Sequence, residues 1–463
     1  MDKYPFASVI IVNYNGAHYL PTCLDALRLQ TYPQDLFEVI VSDNGSSDGS
    51  IELIKNDYPW VRLLENERNL GFASGNNVAI QAARGEHVIL LNNDTLPTPS
   101  WLENMVKVAL SDQQVGMVSG HLIMFYDQLE LEIKTDTFLH EDDPRQLGIQ
   151  IFDIDSGASK GIVQYLEGFY SQEILASGKS YRWCKGNATL GIPVPHGTTE
   201  WLLRMEIAAP RPDNRVVYVS VFNQQELLAT WAVSGRIPRP YQLTLPSYYR
   251  ARTKILEQNT GSIIFRNGQS RDRGTTVRDT EVFFEENMGR YSQIEEVFAG
   301  NGASLLMTRE MLDEVGLFDD DFFMYYEDTD LSWRTRLKGW KVLYAPDAVV
   351  RHIHCGTTKE WSHDFLYMTE RNRLAMVFKS GQLTQVYRVW AGYALKVLTL
   401  CCDTFISLIA RNHSWRVQTS QLLVHFRIFF RLAIWFPSLW RKRQKIQRGV
   451  SINPKDLEKW FQT

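Results

Sequence analysis

This chain has no CxxC spacing, no internal repeat and no low-complexity tract. Its cysteines are few and odd in number: Cys23, Cys184, Cys355, Cys401 and Cys402, scattered except for the last two. Such a set fits reduced thiols in a cytosolic protein better than a disulfide framework. Charge of one sign is missing too. The 49 Lys and Arg against 53 Asp and Glu leave a formal net charge of −4, whereas a dedicated nucleic-acid binder carries a basic footprint. Met1 to Pro5 contain no basic segment or long apolar stretch, so a secretory signal is not expected. Asn-x-Ser/Thr triplets such as those at Asn44, Asn187 and Asn412 then read as chance matches. No GxGxxG follows the first apolar run; Asn13-Tyr14-Asn15-Gly16 stands there instead. That argues against a nicotinamide-dependent oxidoreductase on a doubly wound sheet.

What is present suits two or three folded domains. The chain has 463 residues, 44% hydrophobic and 12% aromatic, enough to fill sizeable cores. Within residues 1–125, the short apolar runs Ser8–Val12, Phe37–Val41, Val61–Leu64 and His87–Leu91 predict strands. Helical patterns lie between them, with Leu20, Leu24 and Leu27 in one and Ile51 and Ile54 in another. Strands about 25 residues apart with helices between predict a parallel sheet covered on both faces. Ligands bind beyond the carboxyl ends of such strands. Asn13–Gly16, Asp43-Asn44-Gly45-Ser46 and Asn92-Asn93-Asp94-Thr95 all fall at those ends, so they predict one site.

Residues 126–294 change character. Trp201–Ile207, Arg215–Phe222, Glu226–Val233 and Thr276–Phe284 read as strands between Pro, Gly and Asn clusters. An inserted all-β sandwich is expected. Its aromatics Tyr181, Trp183, Trp201, Trp231 and Tyr241 either form a core or cover sugar rings. Residues 295–380 return to α/β style, and 381–463 are helical and apolar. Trp390–Ala410 is long enough to span a bilayer, but Lys396 and Asp403 interrupt it. Phe426–Trp440, followed by Arg441, Lys442, Arg443, Lys445 and Arg448, suits a helix in a membrane interface. The alternative is a helical cap packed on the catalytic domain. The expected location is cytoplasmic, peripheral on the inner face of the cell membrane.

Several polar groups could carry chemistry. Asp43 could accept a base N–H, with Gly45 allowing close backbone approach, or the segment is a plain turn. Asn92-Asn93-Asp94 is a hard-oxygen set suited to Mg²⁺ or Mn²⁺ carrying a diphosphate, or again a turn. The acids Glu327, Asp328 and Asp330 follow the run Phe322-Phe323-Met324-Tyr325-Tyr326. Acids against aromatics can supply a partly desolvated general base, and acids also suit a helix N-terminus. Asp328 would then serve chemistry and Asp330 structure. His352 and His354 alternate on a predicted strand and so point the same way; one of them is expected to meet metal or phosphate.

Ser8–Gly16, Asp43–Gly49, Asn69–Ala73, Leu91–Thr95 and Phe323–Arg334 together resemble family-2 glycosyltransferases of the GT-A fold, closest to bacterial rhamnosyltransferase-like enzymes of cell-surface polysaccharide assembly. The resemblance covers roughly 1–125 and 295–380. It implies an inverting, metal-dependent transferase using a dTDP- or UDP-sugar and a glycan or lipid-linked acceptor. Asn13, Asn15, Asp43, Asn69, Gly71 and Asn93 would bind the donor, with Asp43 on the base. Asp94 and His352 would hold Mg²⁺ or Mn²⁺, Asp328 would be the base with Glu327 beside it, and Arg371 and Arg373 would meet phosphate. One departure stands out: the metal motif is Asn-Asn-Asp rather than Asp-x-Asp, which implies weaker metal binding. The β-insert resembles, less specifically, carbohydrate-binding sandwich domains. Two rivals remain: a non-catalytic sugar-binding scaffold on a degenerate fold, and a glycoside hydrolase, which needs two carboxylates at a set separation in space.

Overall fold

The structure, a computed structural model, describes residues 4–158, 161–175, 177–197, 199–278, 281–354, 362–410, 415–453 and 455–462. The thiol of Cys355 and the triplet at Asn412 lie outside them. Cys23, Cys184, Cys401 and Cys402 are free thiols. The chain divides into two compact units. Unit 1 holds Met1–Leu122, Asn259–Arg273 and Tyr291–Thr463, and unit 2 holds Ile123–Gln258 and Gly274–Arg290. Residues 259–273, inside the stretch expected as the insert, thus fold with unit 1. The cause is apolar packing: Ile264 is buried with Phe298, Trp333 and Val377.

Unit 1 is built on one mixed sheet. Its main strands run in the order Arg62–Glu65, Phe37–Asp43, Ala7–Asn13, His87–Leu91, Ser304–Thr308, Val115–Met124, Lys341–His352 and Glu295–Glu296. The first four are parallel. Ser304–Thr308 then enters antiparallel between His87–Leu91 and Val115–Met124. The four strands expected as parallel are parallel, and a strand from far along the chain makes the whole sheet mixed. Alternate residues face opposite ways, as strand geometry requires. Val9, Ile11, Val39, Val41 and Ile89 enter one core with helices Leu20–Arg28 and Trp101–Ala109. Ile10, Ile40, Val88 and Leu90 enter another with helix Gly71–Ala82. Each fully buried Val, Ile or Leu contributes roughly 1.5–3 kcal/mol to folding. Both faces are covered.

Three long helices close unit 1: His363–Ser380, Leu383–Ile409 and Trp415–Arg448. One face of the last, Val424, Ile428, Leu432, Trp435 and Leu439, is buried with Leu374 and Val377 of the first. Its other face exposes Phe426, Phe430, Ile434 and Trp440. The helix is thus a packed cap on one side and an apolar surface on the other. In Leu383–Ile409 only Val389, Tyr393 and Val397 are buried. Both this helix and the Thr419–Arg448 stretch are long and apolar enough to cross a membrane, by length and composition alone.

Unit 2 is all antiparallel in its main sheet, in the order Glu226–Val233, Val217–Asn223, Gln128–Thr135, Ser180–Pro193, Gln150–Asp155, Glu200–Ala209 and Gly235–Pro246. The long strand Ser180–Pro193 serves two neighbours. Asn187–Pro193 pair with Gln128–Lys134, while Arg182 and Trp183 pair with Gln150–Ile151. Gly186, at φ 96°, lies between the two stretches; that backbone conformation favours glycine. Alternate residues such as Leu131, Leu190, Leu203 and Val219 then meet in one core. Trp183 and Trp201 are buried, which removes them as sugar-facing rings. Trp231 and Tyr241 stay partly exposed with ring centroids 5.5 Å apart.

Candidate active site

The register of the first two strands sets Asn13 beside Asp43 at their carboxyl ends. Asp43 is fully buried. Its Oδ2 accepts from Asn13 Nδ2 and from Ser46 Oγ, each at 2.8 Å, and its Oδ1 accepts from the Ser46 amide at 2.8 Å. Asn93 Nδ2 donates to Asn13 Oδ1 at 2.7 Å. The Asn15 amide donates to Ser46 Oγ at 2.8 Å, and Asn15 Oδ1 accepts from the Ser47 amide at 2.8 Å. Asn13, Asn15, Asp43 and Asn93 thus form one network joining three strand ends. A Cβ on Gly16 would sit 2.2 Å from Asn93 Nδ2 and 2.4 Å from Asn13 Oδ1, so only glycine fits against that pair.

Asn69 Oδ1 accepts from the Gly71 amide at 2.9 Å, and Gly71 has φ 79°. A Cβ there would meet the Phe323 ring at 2.5 Å and its carbonyl oxygen at 2.6 Å. Phe323 O already accepts from the Phe72 amide at 2.7 Å. The Asn69–Gly71 turn is therefore seated on the segment that precedes the acid cluster.

Asp94 lies at the turn after His87–Leu91, where Thr95 pairs with His352 across an antiparallel ladder. Asp94 Oδ1 is buried, has no hydrogen-bond donor, and sits 3.3 Å from His352 Nε2. Asn92 Nδ2 lies 3.2 Å from that same nitrogen. A carboxylate oxygen without a donor, facing an imidazole nitrogen, fits a divalent cation whose other positions remain open. Among the described residues no group of three His, Cys, Asp or Glu side chains could hold a metal. Among the described residues, Asp94 and His352 are the pair that this geometry brings together.

The acids Glu327 and Asp328 open the helix Glu327–Leu337. Ahead of them Phe323, Tyr325 and Tyr326 have φ of 66°, 71° and 67°, a left-handed conformation costly for bulky side chains. Asn372 holds this turn. Its Nδ2 lies 3.0, 2.9 and 2.8 Å from the carbonyl oxygens of Phe322, Met324 and Tyr325. Arg371 Nη2 donates to Phe322 O at 2.9 Å. Arg373 donates to Glu370 Oε2 at 2.6 and 3.0 Å and also to Asn267 O. Arg371 therefore supports the turn, whereas Arg373 ties Glu370 to the carbonyl of Asn267.

The two acids differ. Asp328 Oδ2 accepts from the Gly302 amide at 3.0 Å, and Oδ1 from the Thr329 amide at 2.6 Å. Burial raises its pKa, and these donors pull it back down. Glu327 is buried, and its Oε2 has no partner. Burial, then the charge of Asp328, raises its pKa well above the usual carboxylate range. Asp330 is fully buried and pairs with Arg334 at 2.9 Å and Lys379 at 2.9 Å; its role is structural.

One acid was not anticipated. Asp272, on the strand Ser270–Asp272, accepts from Asn259 Nδ2 at 2.6 Å. Its pKa is raised by burial and by the charge of Asp328, and lowered by His354 and His352. Those four side chains therefore share one electrostatic neighbourhood. Ser-Arg-Asp carries no local signal of this; only the return of 259–273 to unit 1 creates it.

Residues 8–166 match the family described as Glycosyl transferase family 2, and residues 270–376 match Glycosyltransferase like family 2. Over 125 residues the chain is 35% identical to Glycosyltransferase AglE of Haloferax volcanii, covering 26% of this chain and 41% of that protein. It is 31% identical over 121 residues to the hyaluronan synthase of Pasteurella multocida, covering 26% of this chain and 12% of that one. The chain thus matches about two fifths or less of the length of these curated relatives. Among solved structures, GalNAc-T7 with UDP, GalNAc and Mn²⁺ overlays with a TM-score of 0.44 at 14% identity, over 82% of this chain and 48% of that one. The mannosyltransferase PcManGT of Pyrobaculum calidifontis, with GDP-Man and Mn²⁺, overlays at 0.40 and 14% identity, over 94% and 88%. The fold is a GT-A-like mixed α/β fold with added β-sheets and C-terminal helices.

Proposed function

We propose, on the premise that this chain carries family-2 glycosyltransferase domains, that it moves a sugar from a nucleoside-diphosphate sugar to an acceptor hydroxyl with inversion. The observation that carries this reading is the buried Asp94 oxygen without a donor, beside His352 at the end of the sheet that also presents Asp43. A scaffold that only bound sugar would gain nothing from leaving a buried carboxylate oxygen unsatisfied, which costs stability.

The residues divide the work. The Asn13–Asp43–Ser46–Asn93 network orders the loop for the nucleoside, and Asp43 Oδ1, with one protein donor, has capacity for a base N–H. Asn69 and Gly71 shape the backbone beside it. Asp94 and His352 would hold Mg²⁺ or Mn²⁺, which when bound neutralises charge on the departing diphosphate. Asp328 takes the acceptor proton as the acceptor oxygen attacks the anomeric carbon from the opposite face. Glu327 lies beside it, its pKa raised first by burial and then by the charge of Asp328.

The donor we assign is a dTDP- or UDP-sugar, with rhamnose favoured by the motif resemblance, and the process is cell-surface polysaccharide assembly. The acceptor is a glycan or a lipid-linked glycan, reached from the cytoplasmic face of a membrane. Unit 2 is assigned as a sandwich-like accessory domain, with Trp231 and Tyr241 as its candidate sugar platform. The experiment is a screen of nucleotide-sugars for donor hydrolysis and transfer, with and without Mn²⁺. No turnover of any nucleotide-sugar, alongside retained glycan binding, would replace the enzyme reading with the scaffold one.

A further inference from the structure

A cavity of about 520 Å³ in unit 1 opens beside the strained turn, lined by Phe323, Tyr367, Arg371, Arg427, Arg431 and Trp435 among others. Phe323 touches Gly71 of the donor loop on one side and lines this cavity on the other. The two sites are therefore neighbours with one ring between them.

Three Arg line the cavity together with three Asp, Asp320, Asp321 and Asp364. Arg427 lies 4.1 Å from the centre of the Tyr367 ring, and Arg431 lies 4.6 Å from that of Trp435. Arg371 reaches both rings, at 5.0 and 4.6 Å. Aromatic faces hold guanidinium planes without neutralising them. Only Asp321 among these acids pairs with a cation outside the cavity wall, while Asp320 is held by neutral donors. Asp321 pairs with Lys442 at 2.7 Å, and Asp320 accepts from Ser74 at 2.9 Å and Asn77 at 2.7 Å. Asp364 is largely exposed and reaches only Arg427, at 3.6 Å. Among the described residues no carboxylate lies within ion-pair distance of Arg371 or Arg431. Burial disfavours the Arg371 cation, opposed by Tyr367 and Asp321 and reinforced by Arg431. Like charges held together this way are a receptor for a multivalent anion.

An apolar track runs alongside. Phe426, Phe430 and Ile434 each precede by one position a residue of the cavity wall, Arg427, Arg431 or Trp435. Neighbouring helix positions are about 100° apart, so the two rows border each other along the helix. The three apolar side chains are 53%, 71% and 55% exposed. Helix Trp415–Arg448 contains eight Lys and Arg and no Asp or Glu. Charge complementarity thus selects an anionic amphiphile rather than an apolar protein face.

We propose that this cavity takes the phosphate or diphosphate of an amphiphilic acceptor, whose apolar tail lies along Phe426, Phe430 and Ile434. The anion would then sit one ring away from the donor loop, placing the acceptor's head towards Asp328. The word acceptor rests on the transferase reading; the phosphate site does not.

The test uses the full chain and phosphatidylcholine vesicles doped with equal fractions of phosphatidic acid, a phosphate monoester, or phosphatidylglycerol, a diester. Wild type should prefer phosphatidic acid. The double variant R427Q/R431Q should weaken that binding by roughly tenfold or more, consistent with losing charge-assisted hydrogen bonds, and should erase the preference. A control, K445Q/R448Q, removes equal charge from the same helix outside the cavity and should weaken both vesicle types alike. Inorganic pyrophosphate alone separates the sources: it should bind more weakly than the vesicles and lose binding in R427Q/R431Q. If R427Q/R431Q behaves like K445Q/R448Q, or wild type shows no preference, the site is wrong. Pyrophosphate binding as tightly as the vesicles would leave a plain anion site and remove the tail. A chain that turns over no nucleotide-sugar yet keeps the preference would refute the transferase reading while leaving the site in place.

Discussion

Glu327 and Asp328 are adjacent in the chain yet sit in different surroundings, one with a carboxyl oxygen that has no partner and one held by the amides of Gly302 and Thr329. We expect Asp328→Asn to lower turnover by about 10²-fold or more while nucleotide affinity stays within a few-fold. Near-normal turnover in that variant would transfer the role to Glu327. Both carboxyl pKa values are raised, chiefly by burial, which gives opposite pH trends for activity and stability. A base works only when ionised, so the acid limb of the transfer profile should lie above the ordinary carboxylate value of about 4. The folded protein, in contrast, holds these protons more tightly than the unfolded chain. Their contribution to stability is complete below the ordinary range and is lost as pH rises through the raised values. Glu327→Gln should flatten that loss in thermal melts taken across pH, and an unchanged slope would mean other groups cause it. At the metal site, Asp94→Ala should weaken donor binding only when Mn²⁺ is present. Full transfer by wild type in chelator would take the metal out of the mechanism.

At the level of elements, the turn 322–326 and the helix His363–Ser380 depend on each other. Three left-handed residues in four positions cost of order 1–3 kcal/mol each, and the Asn372 amide satisfies the carbonyls that this conformation aims inward. Removing that amide leaves buried acceptors without donors, each worth about 1–3 kcal/mol. Asn372→Ala should therefore destabilise the protein by about 2 kcal/mol or more in urea denaturation, and should lower turnover more than donor affinity. A wild-type unfolding midpoint with wild-type turnover would show that the turn holds itself. In the sequence Arg371 and Arg373 stood out only as the phosphate contacts that the resemblance implies. The partner of Asn372 was not visible, since the carbonyls it holds lie some fifty positions earlier and carry no side-chain signature.

For the molecule as a whole, the C-terminal helices turn an apolar face outwards that no described residue covers. With Phe430 at 71% and Trp440 at 45% exposure, replacing both by Ser should cost the fold little. The same change should release the protein from anionic vesicles, which high salt should also do for a peripheral protein bound partly by charge, at about 1 kcal/mol per basic residue. Retention through both salt and alkaline carbonate would mean a helix that crosses the bilayer. Truncation after Ser380 is a poorer test, because Val424, Ile428, Leu432 and Leu439 belong to the same core as Leu374 and Val377.

The sequence by itself determined what depends on near neighbours. Alternating apolar residues set the first strands, and Asn, Asp and Gly clusters at their ends marked where a ligand meets a parallel sheet. The roles proposed for Asp43, Asp94, Asp328 and His352 rest on the motif resemblance read in the sequence. What only the tertiary structure decided depends on contacts between distant segments. Ser304–Thr308 enters the sheet antiparallel because its apolar faces match strands nearly two hundred residues away. Asp272 reaches the acid and histidine cluster because Ile264 packs into a core with Trp333 and Val377. Arg371 faces a cavity with Arg427 and Arg431 because two helices pack, and periodicity shows which face of a helix is apolar without saying what will cover it.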